Sequence, residues 1–379
     1  ILHVLERHRE ALATLRQALE MYRRLPGTQR QQADCLYNIG LVLRDMERYG
    51  EALTVRRQAL ELYRRVTDPQ QERILQDQAD CLYSIGHTLG VVGRCKEAHT
   101  AFRDALDLYR QAGGAERRDA ASLSGIGRSL RKMGRYEEAL KTYRQALELY
   151  RQMDGTQRDQ TGCTYSIGLI LRDTGQYDEA LTAYRQALVL YRQLKGAERR
   201  QVDCLNRIGF VTRKLGRHEE TRTAYQHALE LYRQMKGTER QQANCLNSIA
   251  NVLDDMRHYE EAVTAYRQAL ELYRQVDGSR RNQAACLYNT GLALRNMTCN
   301  DEAVTAFQDA LDLYRQVDDA SREEADCLRS SGFTLNTMGR YDAALAAFQE
   351  AADLYQHLDG TEYYRAKCLN GVGTIMHRM

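Results

Sequence analysis

Ten cysteines and nine histidines give this 379-residue chain its widest chemical repertoire, since thiolates and imidazoles bind metals and attack electrophiles, and thiols form disulfides. Eight of the thiols, Cys35, Cys81, Cys163, Cys204, Cys245, Cys286, Cys327 and Cys368, share one interval of 41 residues with a single 46, and Ser122 fills the one gap. Equivalent positions in stacked units should lie about one helix diameter, roughly 10 Å, apart, beyond the roughly 7 Å limit for a disulfide. The ladder therefore reads as small buried thiols at a tight helix contact in a reducing compartment, with neither disulfides nor a metal cluster. Cys95 and Cys299 stand off it. Cys95 and His99, spaced i, i+4, could join His87 on the preceding helix as metal ligands, yet a fourth ligand is missing and no CxxC exists. A worn repeat with Cys95 in a tyrosine's place is the preferred reading, and no metal or other cofactor is expected.

Catalysis is not expected either. The histidines scatter over different repeat positions, and the sequence has no nucleotide-binding loop, no HExxH and no nucleophile elbow. The 54 Lys plus Arg raise the question of RNA read one base per repeat. But 51 Asp plus Glu nearly cancel them, leaving +3, where a repeat array gripping many phosphates should carry a larger excess. Nucleic acid is therefore not the expected partner. No run approaches the roughly 18 apolar residues of a membrane span, so no membrane partner is expected.

What positions these groups is a repeat. Tyr22, Tyr63, Tyr109, Tyr150, Tyr191, Tyr232, Tyr273, Tyr314 and Tyr355 end the same phrase, RQALELYR in its clearest form, at spacings of 41, 46 and then 41 throughout. The whole of 1–379 thus reads as a single array with one five-residue insertion near 68–72. Each unit predicts two helices of about 17 residues. In the third, Leu123, Ile126, Leu130 and Met133 form one apolar stripe, Gly134 stops it, and Tyr136, Ala139, Leu140, Tyr143, Ala146, Leu147 and Tyr150 form the next. Joints such as Gly155-Thr156, Gly237-Thr238, Gly278-Ser279 and Gly360-Thr361 pair a left-handed stop with an N-cap hydroxyl, and Thr28 with Gln31 and Thr238 with Gln241 have capping-box spacing. Two-helix units cannot bury their stripes alone, so neighbours must stack as a solenoid.

The third unit's Leu123, Ile126, Gly127, Leu130, Ala139, Tyr143 and Ala146 give it the pattern of the tetratricopeptide repeat family, which the chain resembles over essentially its whole length. Gly40, Gly86, Gly127, Gly168, Gly209, Gly291, Gly332 and Gly373 hold the family's close-approach place, with Ala250 as the substitute. The period of 41 exceeds the family's usual ~34, and Arg replaces its terminal Pro at Arg64, Arg110, Arg151, Arg192, Arg233, Arg274 and Arg315. Both departures are similar to the long-repeat branch of kinesin light chains and cell-polarity adaptors. The resemblance implies an all-α, right-handed α-solenoid of about nine antiparallel helix-pair repeats, serving as a cytoplasmic, non-catalytic scaffold or adaptor for a protein or peptide partner.

It also implies that first helices line a concave groove. The ligand-facing places then hold Tyr37, Asn38, Arg44, Tyr83, Arg128, Arg131, Lys132, Tyr165, Arg172, Asn206, Arg207, Arg213, Lys214, Asn247, Asn251, Tyr288, Asn289 and Arg295. These places vary between units of one molecule that otherwise repeats its framework closely. Units three to five collect a basic patch with only Asp173 opposed, followed by the acidic pair Asp254 and Asp255. Guanidinium for carboxylate, amide for backbone and ring for apolar side chain suit an acidic or partly acidic peptide. A second arginine series opens the first helices, where Arg30 with Asp34, Arg199 with Asp203 and Arg322 with Asp326 suggest pairing within a helix. The last first-helix stripe, Leu369, Val372, Ile375 and Met376, lacks a following helix, which suggests a fragment of a longer chain or self-association through uncapped ends. Self-assembly or autoinhibition is accordingly the alternative function. The insertion, next to the worn residues His87, Gly90, Gly93, Cys95 and His99, is expected to make a longer loop and a break in pitch.

Overall fold

The computed structural model describes residues 2–66, 71–114 and 116–379, which hold eighteen helices and no strand. They fall into two compact units, 1–194 and 195–379. The first contains α1 (Leu2–Arg23), α2 (Gln29–Asp45), α3 (Tyr49–Arg65), α4 (Gln71–Val91), α5 (Cys95–Gln111), α6 (Glu116–Lys132), α7 (Tyr136–Arg151), α8 (Gln157–Asp173) and α9 (Tyr177–Arg192). The second contains α10 (Glu198–Lys214), α11 (His218–Arg233), α12 (Glu239–Asp255), α13 (Tyr259–Arg274), α14 (Arg280–Asn296), α15 (Asn300–Tyr314), α16 (Ser321–Thr337), α17 (Tyr341–Gln356) and α18 (Glu362–Arg378). The architecture is an α-solenoid of helix pairs, α2 with α3 through α16 with α17, preceded by α1 and followed by α18.

Each pair closes on one contact. A Cβ added at Gly127 of α6 would come 2.8 Å from the Tyr143 ring of α7, and one at Gly168 of α8 would come 2.9 Å from the Tyr184 ring of α9. A missing side chain lets the first helix approach the ring, and the ring is buried in return: Tyr143, Tyr184, Tyr266, Phe102, Phe307 and Phe348 are all at most 4% exposed. In the α2–α3 pair the ring's place is taken by Arg56, which is fully buried against Gly40. Its Nη1 donates to the Ser84 carbonyl (3.1 Å) and to Thr88 Oγ1, while Nε and Nη2 are buried without a partner. Burial, and then the charge of Arg44, lowers the Arg56 pKa to about 10.

The terminal tyrosines of the second helices are framework, as their spacing implied. Tyr63, Tyr109 and Tyr355 are buried, and each hydroxyl donates to the acid just before the ladder cysteine of its own pair: Tyr63 to Asp34 (2.6 Å), Tyr109 to Asp80 and Tyr355 to Asp326 (2.6 Å). Burial, and then the carboxylate partner, pushes these phenols above their usual pKa.

Two local expectations are corrected. The joint hydroxyls do not form capping boxes, because the side chains of Thr28, Thr156 and Thr238 accept no backbone N–H of the helix that follows them. They point backwards instead. Thr28 Oγ1 donates to the carbonyls of Tyr22 and Leu25, and Thr238 Oγ1 to those of Tyr232 and Met235, so each satisfies the end of the preceding helix. The amide four residues on completes the clasp, Gln32 onto Thr28 and Gln242 onto Thr238, in place of Gln31 and Gln241. The insertion is the second correction. Residues 67–70, where part of the longer loop was expected, lie outside the described residues, but α4 has 21 residues where α2, α6 and α8 have 17. Its start is therefore displaced by about one helical turn.

Turn geometry follows the glycine stops, Gly134 and Gly175 lying at φ 76° and 78°. Glu47, Arg257 and Thr298 occupy the same turn at φ 61–63° with a side chain to accommodate. Arg257→Gly and Glu47→Gly are each expected to raise stability by about 0.5–1 kcal/mol, read as a higher urea midpoint. Gly175→Ala is expected to lower it. Arg56→Phe, which restores the ring of the other pairs and leaves Thr88 bonded to the Ser84 carbonyl, is expected to stabilise the α2–α3 pair by about 1–3 kcal/mol in the same measurement.

Candidate functional site

Among non-consecutive helices, the principal contacts are all between first helices: α4 with α6 and α6 with α8 in one unit, and α12 with α14, α14 with α16 and α16 with α18 in the other. First helices therefore lie on the inner side of each stack. Of the residues three before the close-approach glycine, Tyr37, Tyr83, Tyr165, Asn206, Asn247 and Tyr288 are half-buried on that face.

The tyrosines there serve two ends. Tyr83 meets Phe102 edge-on at 5.4 Å, Tyr165 lies 5.7 Å from Tyr184, and Tyr288 lies 5.7 Å from Phe307. Each ring thus covers the core ring of its own pair and keeps its other side on the surface. The Tyr288 hydroxyl lies 3.2 Å from Ser330 Oγ of the next first helix.

Ladder thiols orient the asparagines. Cys286 Sγ donates to Asn247 Oδ1 (3.5 Å) and Cys245 Sγ to Asn206 Oδ1 (3.8 Å), each one repeat back. Asn206 also donates to the Tyr232 hydroxyl (3.2 Å), whereas the Asn247 amide nitrogen keeps its donors free of partners among the described residues. Asn251 is a receiver, with Oδ1 accepting from Tyr266 OH (2.7 Å) and Asn289 Nδ2 (3.4 Å). The side chain of the exposed Asn38 makes no hydrogen bond among the described residues.

Charge is arranged differently from the linear reading. In the first unit Arg131 pairs with Asp173 of the next first helix (3.0 Å), Arg172 turns onto the same Asp173, and Arg44 turns onto Asp45 (2.7 Å). In the second unit Asp255 is not a separate acidic feature, because Arg213 reaches it from the preceding first helix at 3.2 Å. Lys214 lies over the Phe210 ring at 5.8 Å, and Arg207 also has a partner. Asp254 keeps a carboxyl raised above its usual pKa by burial and by Asp255. Of the predicted groove cations, Arg128 and Lys132 in the first unit and Lys214 and Arg295 in the second have no acid partner among the described residues.

The arginines that open the first helices also pair between repeats. Arg30 meets Asp77 at 2.7 Å, Arg117 meets Asp159 at 3.2 Å and Arg281 meets Glu323 at 3.4 Å. Arg30 thus reaches the next first helix, and Asp34 accepts the Tyr63 hydroxyl. Arg56 is the residue that the sequence reading passed over, and its signal was its place in register with Phe102 and Tyr143. Among the described residues no three His, Cys, Asp or Glu converge as a metal set, and no helix is long and apolar enough to cross a membrane.

A family model of the tetratricopeptide repeat matches residues 1–65, 67–152, 201–275 and 283–357, and a second model of that repeat matches 124–198. No curated protein matches the sequence. Among solved structures, the apo form of RapI superposes with a TM-score of 0.63 at 12% identity, covering 91% of this chain and 98% of that one. The apo form of the quorum sensor NprR from B. thuringiensis gives 0.56 at 15% identity, covering 93% and 99%. BtubC (BKLC) from P. vanneervenii gives 0.53 at 18% identity, covering 62% and 92%. At these identities the likeness is one of fold.

The thiol ladder yields a direct check. Burial pushes Cys81, Cys204, Cys245 and Cys286 up to about 12 and Cys163 and Cys368 up to about 11, so below those values they remain neutral thiols. Alkylation of the native protein at pH 8, mapped by mass spectrometry, is expected to mark the half-buried Cys95 and Cys299, with the ladder thiols reacting only after denaturation.

Proposed function

Because the chain belongs to the tetratricopeptide repeat family, we propose that it is a non-catalytic protein-interaction scaffold that holds a peptide or protein partner on the face formed by its first helices. The observation that carries this reading is the contrast between two sets of positions. Glycine, ring and terminal tyrosine recur from pair to pair, while the half-buried places on the first helices change from Tyr to Asn to Arg. A framework needs the first property and a recognition surface the second.

The surface offers what a peptide requires. The free donors of Asn247 and the amide of Asn38 suit backbone groups, and the open sides of Tyr83, Tyr165 and Tyr288 suit apolar side chains. Arg128, Lys132 and Arg295, without acids of their own, favour a partner that is acidic at a few places; paired Arg131, Arg172 and Arg213 contribute less. By analogy of fold with the quorum sensor NprR, the array acts as the sensor or adaptor arm of a signalling protein in the cytoplasm. The exposed apolar Leu369, Met376 and Tyr363 of α18 favour a second reading, self-association.

The test is capture of partners by the array, their identification by mass spectrometry, and titration of the purified partner peptide. Asn247→Ala with Arg295→Glu is expected to weaken that peptide by about tenfold or more without loss of helicity. Unchanged affinity would overturn the surface assigned. A shift in sedimentation with no loss of partner would favour self-association.

A further inference from the structure

The ladder of charge on the first helices breaks at α4. Arg131 reaches Asp173, and Arg213 reaches Asp255, each across 42 residues. The equivalent partner place for Arg44 holds Val91, which is 49% exposed, and Arg44 falls back on Asp45. In the same register Lys132 of α6 faces Gly90 of α4, where a paired side chain would otherwise stand, and its ammonium finds only the Gly90 carbonyl at 2.7 Å.

The missing side chains leave a cleft of about 130 Å³ between α4, α5 and α6, with His87, Gly90, Val91, Arg128 and Lys132 around it and Phe102 as an apolar wall. Nothing lies within 4 Å of a Cβ built at Gly90. No carboxylate lines the cleft. Arg128 is exposed and has no hydrogen bond or ion pair among the described residues, and His87 Nδ1 is buried with no partner. The groups acting on the imidazole from the neighbouring helices are all cationic: Arg128 of α6, Arg44 of α2 and Arg56 of α3. Burial first, and then these charges, hold His87 below its ordinary pKa, so it is neutral at pH 7.

A guanidinium, an ammonium and an imidazole thus converge on a part-enclosed space without an acid. We propose that this cleft is an oxyanion site that takes the phosphate monoester of a phosphorylated residue on the bound peptide. The peptide as carrier rests on the function proposed above, whereas the oxyanion site rests on the cleft alone. A carboxylate would match one of the two cations. A phosphate dianion matches both, with two oxygens on the Arg128 fork, a third on Lys132 and His87 as a further donor. The bound dianion also favours imidazolium, so His87 takes up a proton more readily when the site is filled.

The test follows the His87 ring resonances by NMR at constant ionic strength and pH 7.5, assigned with a His87→Gln variant. Inorganic phosphate, sodium acetate and N-acetyl-phosphoserine amide are the probes. Phosphate and the phosphoserine amide are expected to shift His87 saturably and to move its titration to higher pH. Arg128→Ala and Lys132→Ala remove exposed cations, and Val91→Asp restores the ladder acid at an exposed place; each is expected to weaken both probes by about tenfold or more. A phosphoserine amide that binds at least as tightly as inorganic phosphate supports the peptide as carrier, and phosphate binding alone overturns that half. Acetate as effective as phosphate, no saturable change at His87, or full binding by the Val91→Asp variant would overturn the site. The Asn247→Ala, Arg295→Glu protein separates the two readings, since it is expected to lose its peptide and keep phosphate.

Discussion

In each helix pair the first helix has to come within contact distance of a ring at the middle of the second, and a residue with no side chain is what permits it. Gly127 against Tyr143 and Gly168 against Tyr184 set the separation, and Ala at 250 is the largest residue found at that place. Each buried ring contributes about 1.5–3 kcal/mol, and every pair but α2–α3 gains one such contact. Everything on the first-helix face inherits its position from this contact. Tyr83, Tyr165 and Tyr288 stand where they do because they rest on the same core rings from the other side. Arg56 shows what happens when the ring is missing: the contact with Gly40 survives through the aliphatic stem, but two N–H groups are buried unpaired at its head.

Polar groups then finish what the rings begin. The joint threonines satisfy the last carbonyls of one helix, and the terminal tyrosines tie the end of the second helix to the start of the first. The ladder cysteines do a related task from one repeat to the next, because a small thiol both fills the tight contact and fixes the orientation of an asparagine on the neighbouring first helix. A framework position and a variable position on the first-helix face are thereby coupled through a weak hydrogen bond. Variation at the asparagine place and constancy at the cysteine place are two sides of one arrangement.

Charge on the first-helix face is largely spent within the protein. Arg131 with Asp173, and Arg213 with Asp255, bridge successive helices, so a high count of arginines does not translate into a strongly cationic surface. Such half-exposed pairs contribute at most about 1 kcal/mol each, but they cancel the field that a partner would feel. Unpaired charge is therefore found where the pattern fails. At Gly90 and Val91 the ladder loses both an arginine place and an acid place, and Arg128 and Lys132 are left facing a cleft with His87 beside them.

The sequence by itself determined the period, the helix pairs, the glycine and ring register and the burial of the thiol ladder, because all of these follow from apolar spacing that repeats within about one unit and is reinforced by every copy. The worn residues His87 and Gly90 of α4 stood out in that register as departures, and Arg56 departs from it in the same way. Only the tertiary structure decided which polar groups meet. Arg30 had Asp34 one turn away yet pairs with Asp77 of the next first helix, Thr28 serves the helix behind it, and the insertion coincides with an extra turn of α4. These choices turn on competition among partners of nearly equal energy, most of them brought together only when one repeat stacks on the next. The cleft at Gly90 has the same origin: a missing side chain is invisible as a site until α5 and α6 close around the space it leaves.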